Sequence, residues 1–222
     1  MSGVRLAVFD CDGTLVDGQA DVCWAMARAF ARAGLPAPEV SAVRRAVGLS
    51  LPQAVRTLSP DLTEDQNRAV TEFYRSSFRA RREEGLLDEP LYDGIAELLR
   101  DLHGAGWSLA VATGKSDRGL AACLATHGIA DLFVSLQTAD RHPSKPHPAM
   151  LEAALFEAGA TREQAVMIGD TSFDMLMARS IGVAGIGVGW GYHAAPELLA
   201  SGAARVVGTA EALAAALEEA LP

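Results

Sequence analysis

Two aspartates one residue apart, Asp10 and Asp12, stand at the end of a short apolar run in the segment Phe9-Asp10-Cys11-Asp12-Gly13-Thr14-Leu15. In an extended chain alternate side chains share a face, so the two carboxylates can project together. One can act as a nucleophile or hold a cation while the other serves as general acid and base, and Gly13 permits a tight turn around a phosphate. A polar loop or a structural cation site accounts for this pair equally well when it is taken alone. Three further segments add what phosphoryl transfer requires. In Val111-Ala112-Thr113-Gly114-Lys115, Thr113 can donate its hydroxyl to a phosphoryl oxygen while Gly114 opens the turn. In Ser144-Lys145-Pro146-His147-Pro148, Lys145 offers an ammonium just before a helix, where charge develops on phosphate oxygens. In the segment from Val166 to Met175, Asp170 ends another apolar run and can complete a hard oxygen site suited to Mg2+, and Asp174 lies one helical turn further on. Asp174 reads either as charge compensation at a helix N-terminus or as outer support for Lys145 or the metal.

The elements that must hold these groups are legible as apolar runs alternating with helical periodicity, the pattern of an α/β fold with a mainly parallel, doubly wound sheet. Strands are expected at residues 5–9, 108–112, 132–136, 165–168, 185–188 and 205–207. Helices are expected at 92–103, 118–127, 148–158, 173–180 and 210–221, with room for one between every pair of strands except the last two. Residues 17–90 contain no convincing strand and several helical stretches, at 20–33, 40–46 and 63–84, which together predict a bundle of about four helices. Thr63 followed by Gln66 has the spacing of a capping box. The division is therefore a core of residues 1–16 and 91–222 interrupted by a helical domain at 17–90.

The motifs DCDGT, VATGK, SKPHP and GDTSFD, in this order, resemble those of the haloacid dehalogenase superfamily, and the resemblance spans essentially the whole chain. It implies a Rossmann-like core, a phosphoaspartyl intermediate on Asp10, and catalytic roles for Asp12, Thr113 and Lys145, with Thr113, Gly114 and Lys145 binding the substrate phosphate. Magnesium would be held by Asp10, Asp12 through its main-chain carbonyl, and Asp170, with Asp174 in support. The helical insertion resembles the small cap of the phosphoglycolate phosphatase and β-phosphoglucomutase branch, which makes a small phosphorylated metabolite the expected partner and phosphoglycolate the family-level substrate. A carboxylate at position 12 argues against dehalogenation, because the hydrolytic dehalogenases lack it. A phosphomutase would use the same residues, and a phosphoacceptor regulatory module would share the sheet and the clustered aspartates.

Composition bounds the rest. The chain has 222 residues, half of them hydrophobic, and a formal net charge of -9, which fits a folded protein and argues against nucleic acid or an anionic membrane as partner. Three cysteines, Cys11, Cys23 and Cys123, without CxxC spacing suggest reduced thiols and a cytoplasmic protein. No segment marks a coiled-coil seam, so a monomer or a homodimer is expected. Arg44, Arg45, Gly48 and Ser50 can approach a substrate from the insertion, although the arginines read as a solvated helix face. His142 and His147 read as loop residues, Trp24, Met26 and Phe30 as packing inside the insertion, and Cys11 as a small side chain turned away from its neighbouring aspartates.

Overall fold

The computed structural model describes residues 3–221. Six parallel strands form one sheet in the order β3-β2-β1-β4-β5-β6, where β1 is Leu6–Phe9, β2 Ser108–Thr113, β3 Phe133–Thr138, β4 Ala165–Gly169, β5 Ala184–Val188 and β6 Arg205–Val207. Strand β1 is apolar at every position because a parallel sheet is covered on both faces. Its alternation sorts the core into two layers. Ala7 and Phe9 join Val111 and Ile168 in one, and Leu6 and Val8 join Ala110 and Met167 in the other. Cys11 continues the parity of Ala7 and Phe9 and is fully buried in their layer, as the alternation predicts.

Phe9 pairs in register with Val111 of β2 on one side and Ile168 of β4 on the other, so the three strands end side by side. The strand order reverses at β1 and β4, and in open α/β sheets the crevice outside the strands' carboxyl ends at such a reversal is where ligands bind.

Four helices lie between β1 and β2 in the chain before the return to the core: α1 (Gln19–Arg32), α2 (Val40–Ala46), α3 (Leu51–Leu58) and α4 (Glu64–Glu83). They bury a core of their own that includes Val22, Met26, Phe30, Val43, Val55 and Val70. Helix α3 was not among the expected spans. Its two turns carry Leu51, Ala54, Val55 and Leu58 on one face, with a proline in the first turn. Trp24 corrects another expectation. It stands outside that core, with the guanidiniums of Arg28 and Arg81 at 5.1 and 4.6 Å from its ring. Arg81 also pairs with the buried Asp21, whose other oxygen accepts the Asp88 backbone N–H at 2.7 Å, tying α1 to the end of α4.

The capping box forms as its spacing predicts: Thr63 Oγ1 accepts from Gln66 N at 3.2 Å and Gln66 Oε1 from Thr63 N at 2.9 Å. Thr63→Ala is expected to cost about 1 kcal/mol, which lowers the midpoint of a thermal melt by about 2–4 °C. An unchanged melt would remove the cap's part in holding α4.

The remaining helices cover the sheet: α5 (Ile95–Gly104), α6 (Asp117–Thr126), α7 (Ala149–Ala158), α8 (Ser172–Ser180), α9 (Ala195–Ser201) and α10 (Ala210–Ala220). Helix α9 overturns the expectation that β5 runs on to β6 without one. Two turns suffice here because Pro196 opens the helix and Gly202, at φ 116°, ends it.

Candidate active site

Each strand end in the crevice delivers one acidic or polar group. Asp10 follows β1 with no solvent exposure, and its Oδ1 accepts from the Cys11 backbone N–H at 2.6 Å. Lys145, from the loop after β3, places Nζ 2.9 Å from Asp10 Oδ1 and 2.6 Å from Asp174 Oδ1. The second oxygen of Asp174 accepts from Thr171 N and Oγ1 at 3.1 and 2.7 Å. Both readings of Asp174 therefore coexist, since the side chain closes the first turn of α8 and fixes Lys145. Asp170, at the end of β4, accepts from Thr14 Oγ1 and Tyr192 N, each at 2.9 Å.

Oxygens of Asp10, Asp170 and Asp174 lie within 4.8 Å of one another, all buried, and among the described residues the one ammonium bonded among them is that of Lys145. Three carboxylates against one cation leave a surplus of negative charge out of contact with water. Burial, only partly offset by Lys145 and reinforced by Asp174, pushes the Asp10 pKa up to about 7. Burial and the carboxylates of Asp10 and Asp174 raise Asp170 well above the carboxylate range. Among the described residues the buried Asp10 Oδ2 has no hydrogen-bond partner. Asp174 Oδ2 accepts two hydrogen bonds and its Oδ1 faces the Lys145 ammonium, whereas each oxygen of Asp170 accepts a single neutral donor and keeps a lone pair, so Asp10 and Asp170 are the members of the cluster that can still ligate. Hard oxygen donors, surplus charge and an orphaned oxygen fit a divalent cation such as magnesium.

Asp12 turns to a different partner. Its Oδ1 lies 2.9 Å from Lys115 Nζ, which also lies 2.5 Å from Glu89 Oε1. Against the burial that would lower it, the Asp12 and Glu89 carboxylates, with Cys11 between them in weight, hold the Lys115 pKa well above its usual value. A side chain at Gly18 would come within 3.4 Å of both Asp12 Oδ1 and Glu89 Oε1. The two crossings between core and insertion, near residues 18 and 89, thus converge on Asp12.

The insertion is seated on the core. A Cβ on Gly114 would meet Leu49 O at 2.5 Å and Gly48 O at 2.8 Å, so only glycine admits this approach after β2. Ser50 N donates to Ser144 Oγ at 2.8 Å, Phe173 packs against Ala46 and Leu49, and Arg45 pairs with Glu197 at 3.0 Å. Beneath this contact lies a cavity of about 490 Å³ reached by Asp10, Asp12, Thr113 and Lys115.

The structure thus gathers Asp10, Asp170, Asp174 and Lys145 into one buried cluster and brings Asp12, Thr113 and Gly114 to the cavity it opens into. Thr113 is buried and accepts from Lys115 N at 3.3 Å. His142 bonds Gln137 and His147 accepts from Ala149 N, both in the loop and helix start around Lys145. Arg45 is a largely exposed cross-contact, while Gly48 and Ser50 line the cavity. Sequence reasoning passed over Lys115, Glu89, Thr14 and Tyr192. Lys115 and Thr14 had a signal, as the last residues of motifs already singled out, VATGK and DCDGT; Glu89 and Tyr192 had none.

Residues 7–188 match the haloacid dehalogenase-like hydrolase family. The chain is 36% identical over 220 residues to "Probable phosphatase IndB" of Dickeya dadantii, covering 94% of each, and 32% identical to a phosphoglycolate phosphatase of Vibrio parahaemolyticus, covering 89% of each. A hydrolase from Pseudomonas syringae superposes with a TM-score of 0.86 at 25% identity, over 97% of this chain and 98% of that one. With a six-stranded parallel sheet whose two central strands β1 and β4 end on the buried Asp10 and Asp170, and a family match over most of its length, the chain belongs to the haloacid dehalogenase-like hydrolases, as an enzyme of their phosphatase class.

Proposed function

We propose that this protein is a magnesium-dependent phosphatase that hydrolyses a small organic phosphate monoester through a phosphoaspartate on Asp10. The observation that carries the reading is Asp10 itself, a buried carboxylate with one oxygen fixed by Cys11 N and Lys145 and the other unpartnered. Asp10, Asp170 and the main-chain carbonyl of Asp12 would hold the magnesium ion. When bound it supplies positive charge that reduces repulsion between the carboxylate and the anionic phosphoryl group.

Asp10 Oδ2 attacks phosphorus, and Asp12, at the cavity wall, gives its proton to the departing alkoxide. After the alcohol leaves, Asp12 takes a proton from the water that cleaves the acyl phosphate. Lys145, held between Asp10 and Asp174, and Thr113 at the end of β2 neutralise the transferring oxygens. Residues 17–90 act as a cap over the core formed by 1–16 and 91–222, excluding bulk water from the first step. No helix among the described residues is long and apolar enough to cross a membrane, and the three free cysteines suit the cytoplasm, where we place this activity.

Phosphate release from 2-phosphoglycolate, phenyl phosphate and a sugar phosphate, measured with magnesium and after chelation, tests this reading. Release is expected from at least one ester and is expected to fall by at least about 100-fold on chelation, the scale of losing one electrostatic stabiliser. Full activity without metal would overturn the metal assignment. An isomerised sugar phosphate without free phosphate would convert the reading to a phosphomutase.

A further inference from the structure

The cavity is larger and more apolar than a two-carbon acid needs. Its 490 Å³ lie under a seated cap, within the range of pockets that enclose drug-sized ligands. Beyond the catalytic carboxylates its wall is built by Val22 and Met26 of α1, Val47 and Leu49 beyond α2, and Tyr74 and Phe78 of α4, whose rings stack with centroids 5.3 Å apart. Tyr74 lines the same cavity as Asp12 and Lys115, and burial, reinforced by the Asp12 carboxylate, raises the pKa of its hydroxyl. A glycolate leaving group offers these side chains almost nothing to bury.

The rim carries the opposite character. Arg75 and Arg79 recur one turn apart on α4, and Arg118 stands in the first turn of α6 on the core side of the same cavity. All three are exposed, and among the described residues none has an ion-pair or hydrogen-bond partner. Other arginines of α4 are engaged: Arg81 with Asp21, Arg68 with Asp65, and Arg82 with Glu89 at 3.8 Å. Asp140 also lines the cavity and accepts from Asp117 N at 2.9 Å, but in a chain with 28 acidic and 19 basic residues the three unpaired guanidiniums outnumber it and make the opening locally positive. Planar guanidiniums pair well with carboxylate or phosphate.

We propose that the substrate is a phosphate monoester whose alcohol has an apolar, ring-sized body and a second anionic group, a carboxylate or a phosphate, read by Arg75, Arg79 and Arg118 at the cavity rim. This rests on the phosphatase reading above and adds to it which ester is bound. The body fills the space between Tyr74, Phe78 and Met26, and the second anion reaches the rim while the phosphoryl group meets Asp10.

The test compares phenyl phosphate, 4-carboxyphenyl phosphate, 1,4-phenylene bisphosphate and 2-phosphoglycolate on the wild type, on Arg75→Ala/Arg79→Ala and on Arg118→Ala. Wild-type kcat/KM is expected to favour at least one charged aryl ester over phenyl phosphate by about tenfold, carried by KM, the scale of one charge-assisted hydrogen bond. The double variant is expected to reduce that ratio to about one, Arg118→Ala to lower it in part, and Arg75→Ala/Arg79→Lys to keep part of it. The larger of the two preferences identifies the second anion. No preference in the wild type, a preference that survives the double variant, or 2-phosphoglycolate outperforming every aryl ester would overturn the assignment. Hydrolysis of phenyl phosphate that vanishes in Asp10→Asn establishes the phosphatase reading whatever the ratio shows, whereas no hydrolysis of any ester sinks both.

Discussion

Asp10→Asn is expected to reduce turnover by at least about 10⁴-fold, the scale of removing a covalent nucleophile, and also to raise the melting temperature of the metal-free protein above that of the wild type. The first effect follows because an amide cannot form the acyl phosphate. The second follows from the crowding of charge. Asp10 shares its buried site with Asp170 and Asp174 within 4.8 Å, and burial pushes its pKa from 3.8 up to about 7. A carboxyl whose folded pKa is raised holds a proton in the native state that the unfolded chain has released. Stability from this group is full below the unfolded value and is lost as pH rises through the folded one. The wild type therefore loses stability between about pH 4 and pH 7, and the variant is spared that loss. Lys145 keeps Asp174 at 2.6 Å in the variant, and the amide nitrogen stands among carboxylate acceptors where Oδ2 had no partner. The difference in melting temperature should grow from pH 5 to pH 7 and level off by pH 8, at roughly 2–4 °C for each kcal/mol relieved. Melts in chelator across that range check it. A variant less stable than the wild type at pH 8 would show that the cluster does not carry surplus charge, and a variant with normal turnover would remove Asp10 from the chemistry.

What could be read from the chain follows from where the information lies. The strands that end on Asp10, Thr113 and Asp170 are continuous apolar runs, because a sheet covered on both faces demands them, and the residue after each run falls at the crevice. The buried cluster was legible for that reason, and the family motifs named its members in order. Two short elements escaped, α3 and α9: each carries a proline in its first turn, Pro52 and Pro196, which reads as a break, whereas α2, equally short but without one, was legible at 40–46. Trp24 was misplaced because an aromatic ring on an apolar helix face reads as core, whereas Arg28 and Arg81 cover it from the outside. The junction of Asp12, Lys115 and Glu89 joins three distant parts of the chain, and no periodicity or spacing marks a contact of that kind. The same holds for the rim arginines, which look like solvated charges until the fold brings α4 and α6 around one cavity.

Asp12→Asn should separate the two halves of the reaction. Asp12 is proposed to protonate the departing alkoxide and then to activate the water, and each proton transfer is worth about 10²–10⁴-fold. An alkyl ester such as 2-phosphoglycolate needs the proton, so its first step slows by that factor in the variant. p-Nitrophenyl phosphate releases a stable phenolate without help, so Asp10 is still phosphorylated while the second step lacks its base. The expected result is a burst of one equivalent of p-nitrophenolate followed by slow turnover, with the phosphoryl group retained on the protein and visible in its intact mass. Asparagine keeps an oxygen for Lys115 Nζ, 2.9 Å from Asp12 Oδ1 in the wild type, so the junction with Glu89 is preserved and folding is not what the burst reports. Two results would refute the assignment. Equal losses on both esters without a burst would mean that Asp12 shapes the site but moves no proton. Unchanged steady-state turnover would mean that the proton comes from elsewhere, and the two groups next in line are Lys115 and Tyr74, which line the same cavity.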